Sequence, residues 1–277
     1  MLADYHVHCE YSDDSRYPMA DVCRDAADMG LDEICFTEHV DYGVKNDVGE
    51  PVTRYEDGDA VTNPPYEELF ARYAEMREAW DGRLAIKRGL ELGVQVVTLE
   101  KFEELLARWR SQMDFAILSI HQVDNLEFWN GDYQEGRTQD QINQRYWEEM
   151  LAVVNSFNDY GVMGHLDLIR RYDPFGAYPF EKVRDICAEV LRRVIDTGHG
   201  IEINTSGIRY GLGEFHPTPA ILDLYRDLGG TIATVGSDSH KPEHLGKYIN
   251  EAYDLLRAHG FENVYTYDAW KPIAHKL

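Results

Sequence analysis

Six of the eleven histidines fall at or just beyond the ends of predicted strands, five of them in short patterns that also carry acids, and imidazoles with carboxylates are the donor set of hydrolytic metal sites. The first pattern is Asp4-Tyr5-His6-Val7-His8, where a two-residue spacing turns both imidazoles to one side of a strand. Taken alone, that spacing also fits a surface accident or a hydrogen-bonded core pair. Thr37-Glu38-His39, Gly89-Leu90-Glu91, Ser119-Ile120-His121, Gly164-His165-Leu166-Asp167 and Gly236-Ser237-Asp238-Ser239-His240 follow. Each has a bland explanation by itself; Asp238, for one, could cap a following helix. Recurrence at six strand ends makes a shared metal site the better reading. Asp14 lies six residues past His8, near enough for the chain to curl back over that site, and spacing leaves Asp13 open as the alternative.

The elements that must position these residues alternate along the whole chain. Short apolar runs at about Ala3 to His8, Glu33 to Thr37, Leu84 to Leu90, Phe115 to Ile120, Val162 to His165, Gly200 to Ile203 and Thr231 to Val235 predict buried strands. A run near Val264 is a possible eighth. Helical stripes fill the gaps: Leu69, Tyr73, Met76 and Trp80 after Pro64-Pro65; Val183, Ile186, Cys187, Val190, Leu191 and Val194 before Gly198; Leu245, Tyr248, Ala252 and Leu255 before Gly260. This is a repeated βα pattern around a parallel sheet, with the histidines at the strand ends where barrel active sites are built. No linker divides it, so one domain over residues 1–277 is expected. The polar segment from Asp41 to Pro65 is a candidate lid.

Composition narrows the function. The chain of 277 residues carries 50 acidic against 27 basic side chains, a net charge of −23, which disfavours nucleic acid and anionic membrane surfaces as partners. Met-Leu-Ala-Asp begins no signal peptide and no apolar run could span a bilayer, so a soluble cytoplasmic protein is expected. Cys9, Cys23, Cys35 and Cys187 show no C-x-x-C spacing and are read as reduced thiols.

In order and over essentially the whole chain, the motifs resemble those of the polymerase and histidinol phosphatase (PHP) superfamily. The segments Gly164 to Tyr172 and Glu202 to Gly211 are similar to its stand-alone histidinol-phosphatase branch. The resemblance implies a distorted (β/α)7 barrel with three divalent ions, zinc, iron or manganese, at its C-terminal face. By the same resemblance His6, His8, Glu91 and Asp238 hold the first ion; Glu91 bridges to a second completed by His121 and His165; Asp14, His39 and His240 hold the third. Some relatives carry histidine where Asp14 stands, and oxygen there favours a harder ion.

Three such ions, three carboxylates and a bridging hydroxide leave about +2 in the pocket, which suits a dianionic phosphate monoester as the small-molecule partner. Arg170, Arg171 and Arg209 follow strands that carry His165 and Ile203 and can grip phosphate oxygens, with Arg209 and one of the adjacent pair favoured. The expected chemistry is hydrolysis of L-histidinol phosphate, in histidine biosynthesis, by a metal-bridging hydroxide attacking in line. Arg209, Asp238 and His240 are placed at the reacting centre. His216 is a weak candidate for the leaving group or substrate. Glu10, Asp41, Tyr42 and Trp129 are near enough to meet the histidinol moiety. Competing readings are a phosphodiesterase or nucleotide phosphatase of the same superfamily, a two-metal amidohydrolase-like barrel, and a non-catalytic PHP-like module. The last is disfavoured because every ligand position is filled and no polymerase segment follows Leu277.

Overall fold

The computed structural model describes residues 1–56 and 58–277. Seven parallel strands form one sheet: β1 (Ala3–Val7), β2 (Glu33–Val40), β3 (Ala85–Gly93), β4 (Phe115–Ser119), β5 (Val162–Met163), β6 (Gly200–Asn204) and β7 (Ala233–Gly236), neighbours in that order. Every residue of β1, β4, β5, β6 and β7 is buried, as expected of strands covered on both faces. The sheet curls until β7 meets β1. Val7 bridges Ser239 in parallel, with the His8 amide donating to the Ser239 carbonyl at 2.8 Å and the Ser239 amide to that of His6 at 3.2 Å. The result is a nearly closed barrel with surrounding helices. Register slips between Asp4 and Val7 of β1, a bulge at the stretch that carries His6.

The helices follow their apolar stripes. Tyr66–Ala79 starts after Pro65 and buries Leu69, Phe70, Tyr73 and Met76 against the barrel. Arg184–Asp196 buries Cys187, Ala188, Val190, Leu191 and Val194. Gln139–Ser156 begins with a capping box, in which Thr138 accepts from the Gln141 amide and the Gln141 side chain caps Thr138. All four cysteines are free and buried. Among the described residues no helix is long and apolar enough to cross a membrane.

Two expectations need correction. The run near Val264 is no eighth barrel strand: β8 (Asn263–Asp268) and β9 (Lys271–Lys276) form a separate antiparallel hairpin. Tyr267 of that hairpin joins Ala3, Tyr5, Cys35, Phe115, Ile117 and Val162 in an apolar cluster at the end of the barrel remote from the histidines. The last helix begins at Ile249, because Tyr248 takes a left-handed φ of 63° that breaks the stripe from Leu245. The segment from Asp41 to Pro65 is mostly irregular, with a small hairpin pairing Tyr55–Glu56 with Asp59–Ala60, and it contributes Lys45, Arg54 and Glu56 to the wall of the main cavity.

Candidate metal centre

Glu91, near the C-terminal end of β3, is fully buried, and five imidazoles converge on its carboxylate. Its Oε2 lies 2.9 Å from His39 Nδ1, 3.1 Å from His6 Nε2 and 3.5 Å from His8 Nε2. Its Oε1 lies 2.8 Å from His165 Nε2 and 3.0 Å from His121 Nε2. Asp238 approaches from β7, its Oδ1 3.8 Å from His6 Nε2 and 3.7 Å from His8 Nε2. Asp238 is no helix cap. Its φ of 56° is unusual for a residue with a Cβ and turns the chain at the strand end. On the outer side, Asp14 Oδ2 stands 3.0 Å from His240 Nε2 and 3.6 Å from His39 Nε2. Asp13 instead accepts from Lys45 at 2.7 Å, which separates the two neighbours that spacing could not. The nine residues expected as ligands thus gather at one end of the barrel. Among the described residues, donor atoms within 4.8 Å of one another occur in four sets: His6, His8 and Glu91; His39, Glu91 and His121; His6, His165 and Asp238; and His8, His39 and His240.

Behind them stands a layer that sequence reasoning missed or placed elsewhere. Glu202 Oε1 lies 2.6 Å from His6 Nδ1, and Asp41 Oδ1 lies 2.7 Å from His121 Nδ1. His8 Nδ1 meets the Ser12 hydroxyl at 3.1 Å, which donates to Glu38; His240 Nδ1 faces the Asp238 carbonyl at 3.0 Å. Each contact holds Nδ1 and leaves Nε2 toward the centre, the arrangement that fixes ligating histidines in metal sites. Space for these pairs comes from glycine. A Cβ at Gly93 would collide with Asp41, and one at Gly236 with the Cβ of His6. Only the i,i+4 spacing of Asp41 and Lys45 offered a signal, since acids are common everywhere in this chain.

The donor set fits divalent ions. Among the described residues, His6 Nε2, His8 Nε2, His39 Nδ1 and Glu91 Oε2 find no well-aligned hydrogen-bond partner although buried, which is costly unless something else satisfies them. Burial would raise the Glu91 carboxyl, but His6, His121 and His39 outweigh it and hold the group well below its ordinary range. Burial together with His240, His39 and His6 pushes the His8 imidazole well down, so it is neutral and able to ligate.

The cluster opens into a cavity of about 290 Å³ lined by His39, His121, His165, Asp238 and His240 on the floor and by Arg171, Tyr172, Tyr210, Lys45, Arg54 and Trp129 among the walls. Of the expected phosphate-binding arginines, Arg171 lines the cavity, 3.8 Å over the Tyr210 ring and 3.8 Å from Asp238 Oδ2. Arg209 donates to the carbonyls of Ser237 and Asp238 and also lies 3.8 Å from Asp238 Oδ2. Arg170 points away, paired with Asp167 at 3.1 Å and with Glu214. His216 is fully buried with Nδ1 2.6 Å from Asp167 Oδ1, outside the cavity lining. Asp41 and Trp129 line the cavity. Glu10 instead accepts from the Met19 amide, and the Tyr42 hydroxyl meets Asp47 and Tyr66.

A parallel barrel with an imidazole and carboxylate cluster at its mouth defines a class of metal-dependent hydrolase folds. The PHP domain family model matches residues 4–206, and the chain belongs to that family. It is 28% identical over 272 residues to the histidinol-phosphatase of Lactococcus lactis, covering 97% of this chain and 95% of that one. A Thermotoga maritima protein named "Probable histidinol-phosphatase" is 26% identical over 276 residues, covering 100% of each. The crystal structure of the Lactococcus lactis histidinol phosphate phosphatase, complexed with zinc, L-histidinol and phosphate, matches with a TM-score of 0.81 at 27% identity, covering 98% of each chain.

Proposed function

We propose that this chain is a histidinol-phosphatase, hydrolysing L-histidinol phosphate to L-histidinol and phosphate in the cavity at the barrel mouth. The observation that carries the reading is the near full-length likeness to a structure that holds zinc, L-histidinol and phosphate together. We take residues 1–277 as one catalytic unit.

Divalent ions held by His6, His8, Asp14, His39, Glu91, His121, His165, Asp238 and His240 would supply Lewis acidity and make water acidic enough to attack near neutral pH. We assign three of them, zinc, iron or manganese by availability. Glu202, Asp41 and Ser12 present the free Nε2 atoms of His6, His121 and His8 to the centre. Arg171 offers guanidinium donors to a phosphoryl oxygen, steadied by its stack on Tyr210. Arg209 braces the turn that carries Asp238 and adds positive charge beside it. Trp129 gives the upper wall an aromatic face for the imidazole of the leaving alcohol.

The test is phosphate release from L-histidinol phosphate, p-nitrophenyl phosphate and a phosphodiester, with metals quantified on the same sample. Strong preference for L-histidinol phosphate and close to three ions per chain is expected. Faster cleavage of the diester would overturn the substrate assignment, and two ions per chain the metal count.

A further inference from the structure

Lys45 faces the cavity from the wall opposite Arg171. Lys45 follows β2, and in the seven-strand ring β2 stands three strands from β5 in one direction and three from β6 in the other. It therefore lies across the mouth from the loops that carry Arg171 and Arg209. The Lys45 ammonium is buried, donating to Asp13 Oδ1 at 2.7 Å and lying 3.0 Å from Asp41 Oδ2. An ammonium has three N–H groups, and among the described residues these two carboxylates are its acceptors. One N–H remains on a group that lines the cavity. The other cation on this wall, Arg54, is committed to Glu127 through two nitrogens and to Glu56 at 2.9 Å.

We propose that Lys45 is a catalytic residue, its third N–H donating to the ester oxygen that departs with the alcohol; this rests on the phosphatase reading. In the reaction, the P–O bond to the alcohol breaks and its electron pair stays on the alcohol oxygen. The oxygen of the attacking water forms the new P–O bond, and the proton that water gives up balances the one the alcohol takes. Lys45 keeps its own proton. Its hydrogen bond strengthens as negative charge builds on the departing oxygen, so it favours the transition state over the bound ester. Asp13 and Asp41 hold the ammonium charged and aimed: burial would lower its basicity, but the two carboxylates outweigh burial and raise it.

An alkyl oxygen leaves as a strong base and needs that hydrogen bond; p-nitrophenolate is a stable anion and does not. The experiment compares wild type, Lys45→Met and Lys45→Arg on L-histidinol phosphate and p-nitrophenyl phosphate, with metal content and Tm of each protein. Both rates are read on one preparation, so their ratio does not depend on the fraction of folded, metal-loaded enzyme. Lys45→Met is expected to lower kcat/KM by roughly 100-fold on the alkyl ester and by less than about fivefold on the aryl ester. Lys45→Arg is expected to recover part of the alkyl rate. Equal losses on both esters, including abolition of both, would overturn the proposal and leave Lys45 a positioning residue between Asp13 and Asp41. If wild type ignores L-histidinol phosphate but cleaves ethanolamine phosphate, the substrate reading fails and the same ratio on that alkyl ester still decides Lys45. Inactivity of wild type on every monoester would overturn both.

Discussion

Glu202→Gln should weaken metal binding without touching a ligand. The Glu202 carboxylate serves three donors: His6 Nδ1 at 2.6 Å, the backbone N–H of His165 at 2.9 Å and Asn204 Nδ2 at 3.1 Å. Glutamine keeps the shape but has one acceptor oxygen and an amide that can only donate. If the amide faces His165 and Asn204, two donors meet a donor in a buried site. If it faces His6, the imidazole must accept at Nδ1 and carry its proton on Nε2, the nitrogen aimed at Glu91 and Asp238. Either way the cost is of the order of 1–3 kcal/mol for a buried group without its partner. Loss of an outer-shell partner commonly reduces metal affinity about 10- to 100-fold, or about 1.4–2.7 kcal/mol, in agreement with that cost. The assay is metal retention against a graded chelator, read as ions per chain, with melting curves of the loaded and metal-free protein. Retention within twofold of wild type would refute the assignment of Glu202 as the residue that fixes His6.

Other substitutions separate neighbours that the sequence alone leaves ambiguous. Arg171→Ala should reduce kcat/KM for L-histidinol phosphate about 10- to 100-fold through loss of a charge-assisted contact, whereas Arg170→Ala, which frees Asp167 and Glu214, should act mainly on Tm; steady-state kinetics beside melting curves would expose the reverse order. Asp14→Asn should reduce the metal count per chain and Asp13→Asn should leave it unchanged, a comparison read by elemental analysis. Burial lowers His121, but Glu91 and Asp41 overcome it and lift the imidazole to about 9 in the metal-free protein. That value is above the unfolded one of about 6.5, so this group's contribution to stability is complete below pH ~6.5 and is lost as pH rises through about 9. Metal-free protein should therefore melt lower at pH 9.5 than at pH 6, while metal affinity, which requires loss of that proton, should improve over the same interval; a higher melting point at pH 9.5 would contradict the assignment.

The barrel strands were legible because burial on both faces leaves apolar runs that stop at a polar ligand, as in Phe115 to Ser119 before His121. The same signal misled at Val264. Residues Asn263 to Asp268 do form a strand, but nothing local distinguishes a parallel barrel strand from half of a hairpin. The turn offered no warning either. Ala269 and Trp270 both take positive φ, 46° and 69°, where a two-residue hairpin loop ordinarily uses Asn or Gly. Tyr248 hides a helix start in the same way, since an aromatic residue gives no hint of left-handed backbone. At the site, the candidate ligands were legible because imidazoles are scarce and recur at strand ends. Glu202 and Glu38 were not, because their partners are 196 and 26 positions away, and a pairing at that distance is decided by the closed barrel. Arg170 and Arg171 were indistinguishable for want of the short helix Ile169–Tyr172, which turns one inward and the other toward Glu214.

The seam between β7 and β1 has a consequence for how the molecule is made. His6 and His8 complete their surroundings only against Asp238 and His240, which are made more than two hundred residues later. The Asp4 carboxylate accepts from the Ser237 amide at 2.8 Å and from the Gly246 amide at 3.0 Å, which ties the same two ends together. A nascent chain cannot assemble the full pocket, and one interrupted before Asp238 leaves its early histidines without their late partners. The pocket is thereby assembled only once both sides of the seam have been made.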